Sequence, residues 1–61
     1  MIQKIVQLSN PFSANSLKYR TALHGVKRES LGGNIFLLTG KEDKINKCVI
    51  GLVGSVVTDV V

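Results

Sequence analysis

Hydrophobic and polar positions divide the chain into four stretches. Ile2 to Leu8 mixes Ile2, Ile5, Val6 and Leu8 with Gln3, Lys4 and Gln7. Ile2, Val6 and Leu8 share one strand face, with Lys4 the exception on it, and this alternation predicts a strand. Asn10-Pro11 ends it, because proline has no N–H for a strand ladder.

From Ser13 to Arg28 the pattern predicts a helix. Phe12, Tyr19, Ala22, Leu23 and Val26 fall within about a third of the helical circle. Arg20, His24, Lys27 and Arg28 cluster on the adjacent sector, where Leu17 also falls, out of pattern. Ser13 or Asn15 is placed to cap the start. Gly25 inside a helix costs about 1 kcal/mol relative to Ala. Its other reading is as the C-cap, with Val26 to Leu31 a looser turn. Gly32-Gly33 ends whatever precedes it.

The run Ile35-Phe36-Leu37-Leu38 follows two glycines and reads as a buried strand over Asn34 to Thr39. Gly40 to Lys44 is a charged turn. Ile45 to Val61 supports two readings. Ile45, Val49, Leu52, Val53, Val56 and Val60 share a helical face, with Glu42 or Asp43 as cap. The same stretch is rich in β-branched residues, which favour a pleated sheet. Gly51 and Gly54 penalise a helix further, and Gly54-Ser55 suits a two-residue hairpin loop. Composition therefore favours a three-stranded meander at about 34–39, 46–53 and 56–61. The alternative is strand–helix–strand, with a helix from about 42 to 52.

The expected fold is a small single-domain α+β protein with an N-terminal strand, one amphipathic helix and a C-terminal antiparallel meander. The helix would pack Phe12, Tyr19, Leu23 and Val26 onto the sheet. The alternative order is strand-helix-strand-helix-strand.

A length of 61 residues holds one domain, and one so small is marginal without staples or a partner. Cys48 is the sole cysteine, so no internal disulfide forms. With His24 the sole histidine, four Cys or His ligands for a closed zinc site are lacking. Self-association is the remaining source of stability. The apolar terminus at Val56, Val57, Val60 and Val61 is the expected homo-oligomer interface. The start lacks a signal-peptide pattern, and the Cys48–Val61 stretch is too short and interrupted to span a bilayer. A cytoplasmic, reducing location and no membrane span are expected.

Eight Lys and Arg against four Asp and Glu leave a net charge of +4 and a pI near 9.7. Such a balance suits a small homo-oligomeric binding or regulatory protein that meets nucleic acid or, alternatively, an inhibitor or adaptor that covers an acidic surface on a larger protein. The candidate polyanion contacts are Lys18, Arg20, His24, Lys27, Arg28 and Lys44. Spacings of 20, 24, 27 and 28 would place four of them on one helical face able to follow phosphates. Lys41, Lys44 and Lys47 form a second group.

No catalytic constellation appears. His24 falls among cations, a poor setting for a base that needs a carboxylate neighbour. Cys48 lies in an apolar segment, whereas a reactive thiolate needs a cationic, partly exposed one. Thr39-Gly40-Lys41 fails the phosphate-loop pattern, because Asn34 stands where its first glycine should be and Glu42 follows Lys41. No enzyme activity, cofactor, metal or small-molecule substrate is expected. A strand with Ile2, Val6 and Leu8, a polar break and a helix resembles the opening of a ribbon-helix-helix repressor over about residues 1–26. Gly32-Gly33 and the Ile35–Leu38 run stand where that family has its second helix, so no family is assigned.

Overall fold

The computed structural model describes residues 1–60. Its elements are β1 (Ile2–Gln7), α1 (Pro11–His24), β2 (Lys27–Gly32), β3 (Ile35–Gly40), α2 (Glu42–Val49) and β4 (Val56–Asp59). The strands form one antiparallel sheet in the order β2-β3-β1-β4. This is a small α+β domain with the strand order of the ferredoxin-like, split βαβ arrangement. Both helices cover one sheet face. Val6 and Leu8 from the first strand region, Phe36 and Leu38 from β3, Leu17 from α1, and Ile45 and Cys48 from α2 make one core. The exposed area is 4012 Å², close to the roughly 3,900 Å² of a folded monomer of this mass.

β1 runs as its alternation predicts. Lys4, the odd residue on its inner face, meets Asp59 Oδ1 at 3.5 Å and donates to Asn46 Oδ1 at 3.3 Å. β4 and α2 thus satisfy a charge that the apolar face could not.

α1 departs from expectation at its start and in its orientation, and it ends by the second reading, with Gly25 as its C-cap. Its N-cap is Asn10, not Ser13 or Asn15. Asn10 Oδ1 accepts from the Ser13 N–H at 3.0 Å, and Pro11 occupies the first turn, where a missing N–H costs nothing. The helix stops at His24 rather than Arg28. Gly25 adopts the left-handed conformation (φ 69°) and its N–H closes on Thr21 O. The buried face carries Leu17 and Thr21, with Ala14 packed beside them. Phe12, Tyr19 and Leu23, expected inside, are 81%, 70% and 65% exposed. Val26 is buried, but beyond the helix end.

Lys27 to Gly32 is an edge strand instead of helix. It pairs with β3 from Lys27↔Thr39 to Gly32↔Ile35, with an irregularity between Ser30 and Gly32. The expected meander is also overturned. Residues 46–53 form no strand; Glu42–Val49 is a helix, shorter than the 42–52 alternative. Ile45 and Cys48 are spaced to bury together against α1 and the sheet, and that burial overrides β-branched preference. Gly51 and Gly54 fall after the helix at φ 79° and 77°, so neither weakens it. Gly54 lies in a turn closed by Ser55 N–H on Leu52 O at 3.3 Å, not in a hairpin loop. β4 therefore pairs with β1, not with residues 46–53.

Candidate polyanion-binding surface

The six predicted contacts do not share a helical face. Lys18 is exposed on α1. Arg20 is half-buried, and its guanidinium donates to Cys48 O at 3.4 Å and to Ile50 O. These carbonyls lie at the C-terminal end of α2, so Arg20 ties the two helices together. His24 is half-buried in the last turn of α1. Lys27 and Arg28 are successive residues of β2 and point to opposite sheet faces. Arg28 lies on the helix side, its guanidinium carbon 5.2 Å from the centroid of the Phe36 ring. Lys44 is half-buried in the first turn of α2.

Strand register gathers several of them at one corner. β2 begins where β3 ends, with Lys27 opposite Thr39 and Val26 packed on Gly40. α1 ends and α2 begins beside them. The corner therefore collects His24, Lys41 and Lys44, with Lys47 one turn further along α2; Lys27 starts β2 beside it but on the other sheet face, and Arg28 extends over Phe36. A surface pocket of about 230 Å³ opens there, lined by His24, Gly25, Val26, Gly40, Lys41 and Lys44, with Met1 at its wall. The sequence reading set Lys41 apart from His24. Pairing between β2 and β3 joins them, and no local pattern carries that signal.

Among the described residues, the one ion pair within 4 Å is Lys4–Asp59. No carboxylate of the described residues therefore holds the corner cations at that distance. Glu42 and Asp43 start α2 as exposed groups outside the pocket lining, and Glu29 is exposed on β2.

The uncovered sheet face presents Gln3, Ile5 and Gln7 of β1 beside Ile35, Leu37 and Thr39 of β3. A four-stranded sheet that reads single-stranded RNA stacks bases on aromatics of that face. Here the central positions are aliphatic or polar, and Phe36 points toward the helices. Such a surface can meet phosphates at its corner but offers no stacking platform at its centre.

Cys48 is fully buried, and burial raises its thiol above the ordinary value while Arg20 opposes the rise. That is the reverse of what activates a nucleophilic cysteine. Val56, Val57 and Val60 of the predicted interface are exposed at or beside β4; Val61 lies outside the described residues. No helix among the described residues is long and apolar enough to cross a membrane. Compared with protein-family models, curated proteins and solved structures, the chain finds no match.

Proposed function

We propose that this chain is a non-enzymatic binding protein that grips nucleic acid by its phosphate backbone. The gripping surface centres on His24, Lys41 and Lys44 at the corner, extends along β2 through Lys27 and Arg28, and is flanked by the further helix cations Lys18 and Lys47. Arg20 leaves the predicted set because its donors serve α2. The carrying observation is that His24, Lys41 and Lys44 surround one pocket, with Lys27 and Arg28 on the adjoining β2, and that among the described residues no carboxylate lies within 4 Å of them. Cations so placed release counterions when phosphates replace them. The aliphatic sheet centre supports binding that is indifferent to sequence.

Fluorescence anisotropy with generic duplex and single-stranded oligonucleotides tests this. The wild type should bind at about 50 mM salt, with affinity falling as salt rises. Replacing Lys27, Lys41 and Lys44 with Ala should weaken binding and flatten the slope of log K against log salt by about 2–3. Absence of wild-type binding at low salt overturns the reading.

Self-association belongs to the same proposal. β4 is a four-residue edge strand paired on one side to β1, and Val56 and Val57 on it are 57% and 38% exposed. An open apolar edge accepts a second strand, and a second copy supplies one. Light scattering over a concentration series should show mass above 6.6 kDa; a constant monomer mass refutes self-association.

A further inference from the structure

The corner pocket differs from the rest of the basic surface because it is concave. His24 comes from the end of α1, Lys41 from the start of α2 and Lys44 from its first turn, and all three line one cavity of about 230 Å³. Val26 and Gly40 contribute apolar wall, and among the described residues no carboxylate lines it. The volume corresponds to roughly eight water molecules at about 30 Å³ each. It lies below the roughly 300–1,000 Å³ of sites that enclose a drug-sized ligand. The space therefore suits one compact charged group rather than a whole nucleoside.

We infer that this pocket receives a phosphomonoester, the terminal phosphate of a nucleic-acid strand, held by Lys41, Lys44 and His24. The inference rests on the phosphate-binding reading of the corner and deepens it. A backbone diester carries one negative charge and must leave a site on both sides. A terminal phosphate carries about −1.5 to −2 at neutral pH and three acceptor oxygens. It can enter a recess end-on and accept charge-assisted hydrogen bonds from several donors at once. Lysine ammoniums from the residue that caps α2 and from its first turn, with an imidazole from the end of α1, supply such donors without crowding a through-running chain. The same chemistry is offered by free inorganic phosphate, so strand end and free anion are separate arms of the test.

The test compares one oligonucleotide bearing either a 5′-phosphate or a 5′-hydroxyl, labelled at its 3′ end, at constant ionic strength. The 5′-phosphate form should bind about 5–10-fold more tightly. Lys41→Gln and Lys44→Gln should each reduce that preference to within about twofold. Lys47→Gln removes the same charge from α2 outside the pocket and should keep the preference. Gly40→Ala gives a variant with no charge change. Its added methyl would meet Val26 Cγ2 at 3.4 Å, an ordinary contact on the pocket wall, and it should lower the preference while leaving 5′-hydroxyl binding intact. In a third arm, inorganic phosphate should shift the amide resonances of Gly25, Gly40 and Lys41.

Equal binding of the two oligonucleotides overturns the pocket inference and leaves the backbone reading standing. Binding of the 5′-phosphate form alone keeps the pocket and overturns backbone gripping. A preference that Lys47→Gln abolishes as fully as Lys44→Gln also overturns the pocket, because general charge then explains it. Response to inorganic phosphate with no oligonucleotide bound retains the anion site and rejects the strand end. No response in any arm overturns both readings.

Discussion

α1 spans 14 residues and buries Leu17 and Thr21; α2 spans eight and buries Ile45 and Cys48. In α2 the apolar residues and the buried residues coincide. In α1 they separate: the stripe of Phe12, Tyr19 and Leu23 faces solvent, and the face holding Leu17 lies against the core. That inner face also carries Arg20 and His24, both half-buried. The difference shows what a hydrophobic pattern measures. It reports the preference of a free helix, and α1 is not free. Asn10 and Gly25 set where it starts and stops, Ala14 and Thr21 let it approach closely, and Arg20 must reach the carbonyls ending α2. Leu17, the residue out of pattern, is its anchor.

The largest test of this contrast is truncation on the two faces of α1. Leu17→Ala should cost about 2–5 kcal/mol in urea unfolding, as for other buried leucines. Leu23→Ala, on the exposed face, should stay within about 0.5 kcal/mol. Equal costs would mean that α1 is turned the other way.

Gly25→Ala separates the two possible helix ends by sign. At φ 69° an alanine is strained, and stability should fall by about 1–2 kcal/mol. A helix continuing to Arg28 would instead gain up to about 1 kcal/mol from the same change. Thermal melts of both proteins decide between them.

A smaller effect sharpens the picture of the α2 side. Burial raises the Cys48 thiol above its ordinary 9.0 in the folded state, with Arg20 acting the other way. A folded pKa above the unfolded one gives stability that is complete below the unfolded value and is lost as pH climbs toward the folded value. The melting temperature of the wild type should therefore drop more between pH 8 and about 10 than that of Cys48→Ala. Parallel curves would show that the thiol contributes no such linkage.

β1 and β3 were legible because each carries its own burial pattern: alternation in one, an unbroken apolar run in the other. β2 was not, since Lys27-Arg28-Glu29-Ser30 has no apolar rhythm and is a strand by virtue of pairing with β3. α2 was legible as an alternative, through Ile45 and its helical neighbours, against a composition that pointed to strand. For the candidate surface, His24, Lys27, Arg28 and Lys44 were named from charge; His24 does sit on the predicted helix, whereas Lys27 and Arg28 sit on a strand. Arg20 was named too, although its guanidinium is engaged by α2.

By itself the sequence determined the class of the fold, the basic balance, the absence of an internal disulfide, and the Gly32-Gly33 turn. These depend on composition and on residues close along the chain. Only the tertiary structure decided which face of α1 is buried, where its last residues become a strand, and which cations share a corner. Those outcomes arise from contacts between segments far apart in sequence, whose energies no local period contains.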